Sequence, residues 1–225
     1  IRYTEYSTTG KLHYVRSETT YDTAARTGKC LSWRNDENME ESLFGWVEWE
    51  NDAEGNVTKD ITCCTDGRRM SWFEYEYDAN GNRIRELNYS GDGSLVTESE
   101  FDADGKQIKY IDHDIGYRCE VKKKYDANGN VIRSLSNTYN GNEEYQSESE
   151  YAYDAAGNRI RYISYGHDGG ISLWYEYEYD SRGNRTGTTS YHADGSVNNR
   201  AEYEYDADGN QTGEMWYDAG GNLKS

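Results

Sequence analysis

The sequence predicts an all-β protein of tandem antiparallel β-hairpins, laid out as an extended twisted sheet or a curled, partly closed spiral. Three observations carry this prediction. A phrase of the form Tyr-Asp-x-x-Gly-Asn keeps returning: YEYDANGNRI from Tyr75 to Ile84, YAYDAAGNRI from Tyr151, YEYDSRGNRT from Tyr177 and YEYDADGNQT from Tyr203. Between these phrases the residues alternate in character, with Phe73, Tyr75 and Tyr77 on one side of a strand and Trp72, Glu74 and Glu76 on the other. Proline, about 5% of average proteins, is absent. It cannot donate to a ladder, so a chain that is mostly paired strand excludes it.

The repeats set the order of elements. Anchor turns fall at Asp52/Gly55, Asp78/Gly81, Asp102/Gly105, Asp126/Gly129, Asp154/Gly157, Asp180/Gly183, Asp206/Gly209 and Asp218/Gly221. From Gly55 to Gly209 successive anchor glycines are 26, 24, 24, 28, 26 and 26 residues apart. That drift suits hairpins whose strands differ by a residue or two better than the fixed coils of a solenoid. A second turn lies between anchors, at Gly67, Gly93, Gly141, Gly169 and Gly195. Asp-Gly and Asn-Gly are strong hairpin signals, because the tight turn needs positive φ. Each segment between turns reads as a strand, about 16 in all by the period-two pattern. Neighbours in the sheet are then consecutive in sequence.

Residues 1–50 follow the pattern loosely and read as diverged repeats or an N-terminal cap, with 51–225 as regular repeats of a single domain. YSTTGKL from Tyr6 matches YSGDGSL from Tyr89. YDTAARTGK from Tyr21 looks like an anchor stretched by two residues, and NDENMEES from Asn35 to Ser42 reads as a polar loop. The chain begins at Ile1 rather than Met and stops partway through a repeat at GGNLKS, so it reads as a piece of a longer precursor.

Composition narrows the functional classes. Ile, Leu, Val and Phe together number 28, and the net charge is −18, a combination typical of disorder. The 23 tyrosines and 6 tryptophans oppose that reading, since each buried ring removes a large area from water. A thin, Tyr-rich core is expected, held by cross-strand aromatic pairs. The acidic balance repels nucleic acid and anionic membrane, and no apolar run reaches spanning length.

The phrase Tyr-Asp-x-x-Gly-Asn, with an aromatic two residues before the Tyr and an aliphatic residue or Thr two after the Asn, resembles the YD or Rhs repeat over roughly residues 46–225. Members of that family are extracellular or exported bacterial proteins, with teneurins in animals. In the large ones the hairpins wind into a hollow shell around a toxin domain, and sugar binding has been proposed for the repeats. The resemblance implies an all-β array outside the cytoplasm, bacterial and extracellular or at the cell surface. At 225 residues the chain is too short to enclose a folded domain. It is more similar to the short tandem YD-repeat proteins exported by anaerobic gut bacteria, so encapsulation is not carried over.

The candidate site follows from alignment on the anchor glycine. Trp46, Trp72 and Trp174 fall in one slot, and Glu48, Glu74 and Glu176 share their face. With one strand between them, Trp46 and Trp72 should stand roughly 9–10 Å apart. That spacing suits stacking on alternate sugars of a glycan, with the glutamates accepting hydroxyl hydrogen bonds. The competing reading is that this face is packed against the protein's own residues. The function expected is a non-catalytic extracellular module binding a glycan or cell-surface partner. The alternative is a passive spacer or surface-display scaffold without specific ligand.

Other chemistry is thinly supported. Asp78, Asn80 and Asn82 put three side-chain oxygens in one small loop, and Asp102 with Asp104 does the same. Turn chemistry accounts for these oxygens. A calcium loop would need a distal bidentate carboxylate, so no cofactor is expected beyond weak calcium binding at these turns. Cys30, Cys63, Cys64 and Cys119 make an even count, which in an exported chain suggests disulfides. Cys30 with Cys63 or Cys64 is the pairing between near strands, and Cys119 lies several strands away. No Cys-x-x-Cys pair points to zinc. The four histidines are scattered, with His167 and His192 in second turns. No nucleophile elbow, phosphate loop or metal-hydrolase motif is present, so no enzyme is expected.

Overall fold

A computed structural model describes residues 2–6, 12–35, 41–114 and 116–224. The described residues form seventeen β-strands and no helix, confirming the all-β, antiparallel-hairpin prediction. The chain divides into two compact units, residues 1–114 and 115–225. The first contains β1 (Arg2–Tyr6), β2 (Leu12–Asp22), β3 (Thr27–Asn35), β4 (Glu41–Asn51), β5 (Val57–Cys64), β6 (Arg69–Tyr77), β7 (Arg83–Ser90), β8 (Leu95–Phe101) and β9 (Gln107–Asp114). The second contains β10 (Tyr117–Tyr125), β11 (Val131–Asn140), β12 (Glu143–Tyr153), β13 (Arg159–Tyr165), β14 (Ile171–Tyr179), β15 (Arg185–Tyr191), β16 (Val197–Tyr205) and β17 (Gln211–Asp218). Within each unit every strand pairs antiparallel with the next in sequence. Residues 36–40, the middle of the expected polar loop, lie outside the described residues, as do 7–11.

The anchor phrase folds the same way in copy after copy. At Asp78 one carboxylate oxygen accepts from the backbone N–H of Asn80 and of Asn82, each at 2.9 Å, and the other accepts from the Asn82 amide at 3.0 Å. Gly81 takes φ 83° and its N–H closes on the Asp78 carbonyl at 3.0 Å. A side chain other than Gly would carry strain there. Asp154, Asp180 and Asp206 make the same contacts. The stretched copy at Asp22 differs. Asp22 accepts from the N–H of Ala24 and Ala25, and Arg26, not a glycine, takes the left-handed position at φ 55°. Gly28 therefore serves β3 rather than the turn.

The tyrosine of the phrase has its own task. Pairing between β5 and β6 ends at Lys59 with Glu74, and beyond it the Tyr77 hydroxyl donates to the Val57 carbonyl at 2.7 Å. Tyr179 does this to Arg159 at 3.0 Å and Tyr205 to Arg185 at 2.9 Å. Each hydroxyl takes over a carbonyl where its ladder stops, so the repeated tyrosine ties one anchor turn to the preceding one.

The core is thin. In the first unit Ile61, Cys63, Ile111 and Ser99 are buried, and in the second Ile163, Ala201 and Ser190. Most other strand residues are half-buried on both faces. The registers of β4 through β9 put Ile61, Cys63 and Ile111 on the face that carries Trp46 and Trp72. Ile163 likewise stands directly opposite Trp174. The aliphatic burial thus gathers on the tryptophan face, while Tyr75 faces Ser99 through Glu86 on the other.

Candidate functional site

Two of the three slot tryptophans are packed identically. Trp72 on β6 stacks on Tyr89 with ring centroids 4.9 Å apart and planes 12° from parallel. Trp174 on β14 stacks on Tyr191 at 4.7 Å and 28°. The rim of each indole reaches the glycine of the following second turn, 3.8 Å from the Cβ position of Gly93 and 3.6 Å from that of Gly195. Both indole nitrogens are buried without a hydrogen-bond partner. Trp46 on β4 reaches Gly67 in the same way at 4.0 Å, but Cys63 stands across from it where Trp72 and Trp174 have tyrosine. Its nitrogen donates to Glu48 at 3.0 Å, and the Lys29 ammonium lies 4.2 Å from its ring centre.

The glutamates differ between the units. In the first, Lys29 pairs with Glu48 at 2.9 Å and Lys59 with Glu74 at 2.7 Å. The hydrogen bond from Lys29 holds the Glu48 carboxyl below the usual range, against the opposing effect of burial. In the second, Glu176 accepts from the Tyr191 hydroxyl at 2.7 Å, one of three such pairs with Tyr165 to Glu150 and Tyr217 to Glu202. Burial, then the Glu176 carboxylate, pushes the Tyr191 phenol up to about 12.

The first unit has concave surface at these charges. A depression of about 440 Å³ is lined by Lys29, Glu48, Trp49, Lys59 and Ile61 among others. A neighbouring one of about 340 Å³ shares Lys59 and adds Glu74. Trp49 lies across Gly28 so closely that a Cβ there would fall 2.0 Å from the indole. The first unit therefore brings together Trp46, Glu48, Trp72 and Glu74, while Trp174 and Glu176 belong to the second. Sequence reasoning missed Lys29, Lys59 and Trp49. The lysines were within reach, since a hairpin register counted from the turn sets Lys59 opposite Glu74.

The cysteines stand unpaired, so the expected bridge from Cys30 to Cys63 or Cys64 is not formed. Strand β4 lies between β3 and β5, and two strand spacings make roughly 9–10 Å, beyond the Cα separations of about 4.4–6.8 Å that a disulfide spans. Burial pushes the Cys63 thiol up. Among the described residues no three His, Cys, Asp or Glu side chains are grouped to hold a metal ion. At the Asp52 and Asp78 turns both carboxylate oxygens accept from the turn itself, and at Asp102 one oxygen accepts from the backbone N–H of Asp104 and of Lys106. The backbone of His192 closes its second turn, and the His13 side chain lies outside the described residues.

No family model and no curated protein matches the chain. Among solved structures it is similar to a chain of the Photorhabdus luminescens Tc holotoxin pore, at 14% identity over 95% of this chain and 13% of that one, with a TM-score of 0.44. It is also similar to a chain in the crystal structure of TcdB2-TccC3-Cdc42, at 12% identity over 99% of this chain and 19% of that one, with a TM-score of 0.21. A porin-like protein from Bacteroides uniformis aligns at 11% identity over 96% of this chain and 91% of that one, with a TM-score of 0.27. The chain spans less than a fifth of the length of the first two.

Proposed function

We propose that the chain is a non-catalytic β-hairpin repeat module of an exported YD-type bacterial protein, and that its first unit binds a glycan outside the cell or at its surface. The observation that carries this is a pair of depressions that share Lys59, one lined also by Lys29, Glu48 and Trp49 and the other by Glu74. Carboxylates accept from sugar hydroxyls, ammonium groups donate to them, and an indole covers the apolar face of a pyranose. The volume suits a short stretch of glycan. The module needs neither cofactor nor nucleic acid nor membrane insertion. The test is a glycan-array screen of the wild type beside Glu48→Gln/Glu74→Gln. Binding lost in the variant, with its circular dichroism unchanged, supports the site. Binding equal in both places the ligand elsewhere and ends the pocket assignment.

A second reading has its own observation. Trp72 and Trp174 are spent on Tyr89, Tyr191 and two turn glycines, which is what a passive spacer would do with them. On that reading no glycan is retained by the wild type, and iodide quenches little of the tryptophan fluorescence.

A further inference from the structure

The tyrosine face of the second unit has an unusual charge pattern for a chain of net charge −18. From Ser147 to Tyr205 the carboxylates of the strands are Glu148, Glu150, Glu176, Glu178, Glu202 and Glu204. By register all six stand on the face of Ile163 and Trp174. The other face carries a row of rings, Tyr151 on β12, Tyr162 on β13, Tyr175 and Tyr177 on β14 and Tyr203 on β16. Neighbouring rings in the first part of the row lie 5.4, 6.4 and 6.3 Å apart. Two arginines are set into this row. The Arg159 guanidinium lies 6.0, 5.6 and 5.0 Å from the centres of Tyr151, Tyr162 and Tyr177, and Arg185 lies 5.8 and 5.1 Å from Tyr177 and Tyr203. They reach it because the register skips Ile160 and Thr186 beside the anchor turns.

Both arginines are exposed, and neither has an ion pair among the described residues. Arg159 has one side-chain hydrogen bond, a long one of 3.5 Å to the Tyr177 hydroxyl. The first unit shows what is missing. Arg83 lies over Tyr75 at 4.4 Å in the same position of the repeat, but Glu86, three residues on, pairs with it at 2.6 Å. Three residues after Arg159 and Arg185 stand Tyr162 and Thr188. The guanidinium groups are held on aromatic faces within cation–π range and left without an anion.

We propose that this row binds a linear acidic glycan through its uronate carboxylates. A guanidinium fork matches a carboxylate bidentately. Arg159 and Arg185 begin strands two apart, roughly 9–10 Å across the sheet, a step comparable with one disaccharide of an extended chain. The row crosses five strands but is only one or two residues wide, well short of the roughly 800 Å² per partner of a stable protein interface. An extended acidic peptide would seek a strand edge, whereas these residues lie mid-sheet. Charges beyond about 8 Å are largely screened at physiological salt, so the two arginines outweigh the distant net charge. The site differs from that of the first unit in face and in ligand charge and does not depend on it.

The test is calorimetric titration of the whole chain with an oligogalacturonate, its methyl ester and polyglutamate. The wild type is expected to bind the free acid alone. Arg159→Gln and Arg185→Gln should each weaken binding roughly tenfold, while Arg83→Gln, whose guanidinium already has Glu86, should leave it unchanged, with circular dichroism equal throughout. Absence of binding by the wild type, equal binding of the ester or of polyglutamate, or equal loss in Arg83→Gln would each overturn the proposal. A chain that retains oligogalacturonate but no neutral glycan fails the first-unit reading only.

Discussion

Removing the hydroxyl of the repeated tyrosine tests whether the phrase is a tie between turns. Tyr77→Phe keeps the ring and deletes only the donor to the Val57 carbonyl. A net hydrogen bond contributes about 0.5–1.5 kcal/mol, more where the orphaned acceptor is shielded from water. The Tyr77 bond is partly buried, whereas those of Tyr179 and Tyr205 are exposed. Tyr77→Phe should therefore cost about 1–1.5 kcal/mol, and Tyr179→Phe and Tyr205→Phe about 0.5 kcal/mol each. Tyr153 holds the same place in its phrase but makes no such bond, so Tyr153→Phe should stay within about 0.5 kcal/mol of the wild type. Urea midpoints followed by circular dichroism measure all four, at constant slope. A Tyr77→Phe midpoint no lower than that of Tyr153→Phe would refute the tie, leaving the tyrosine as a ring and nothing more.

Three further outcomes follow from the geometry. The Tyr191 phenol is raised to about 12 in the folded chain against about 10 when unfolded. Its contribution is whole below pH 10 and is lost as pH rises to about 12; a stability profile flat across that window would contradict it. The turn carboxylates run the other way: bonds from Asn82 hold Asp78, in an anchor turn, low, and the Ser90 hydroxyl holds Asp92, in a second turn, at about 2. Their support should be intact above about pH 4 and fade as pH falls towards 2, measurable by acid titration of the circular dichroism. Gly28→Ala should push Trp49 off β3 at a cost of about 1–3 kcal/mol and raise iodide quenching; an unchanged quench would mean that the backbone had moved instead.

Most turns from Asp52 onward were legible in sequence, because Asp-x-x-Gly is a local solution to a local problem; Gly116, also at positive φ, was missed because no Asp-Gly or Asn-Gly pair marks it. Each expected anchor and second-turn glycine in that stretch has positive φ. Residue periodicity also told which side chains share a face. It did not tell what covers a face, since that depends on neighbours one or two strands away. Hence the glutamates were named without Lys29 and Lys59, and the tryptophan face was not recognised as the place where Ile61 and Ile163 are buried. The cysteines illustrate the same limit: an even count says nothing about the strand that separates Cys30 from Cys63. Arg159 shows another. Strict alternation assigns it to the face of Arg161 and Ile163, and only the skipped residue Ile160 brings it to the tyrosines.

The repeat therefore separates positions that build from positions that vary. Asp and Gly secure the anchor turns, Tyr77, Tyr179 and Tyr205 each tie one to the turn before it, and in both units an arginine after the turn rests on a ring. What differs is the residue three places on, Glu86 in one unit and Tyr162 or Thr188 in the other. If the free guanidinium is what binds, supplying the missing carboxylate should silence the site without removing either arginine. Thr188→Glu does this at Arg185. Thr188 is half-buried and an ion pair of this kind adds only about 0.2–1 kcal/mol, so a urea midpoint equal to that of the wild type is the control that keeps lost binding from being blamed on unfolding. Oligogalacturonate affinity is expected to fall about as far as in Arg185→Gln, roughly tenfold. Undiminished affinity in Thr188→Glu would show that the arginines serve the rings beneath them and no outside anion.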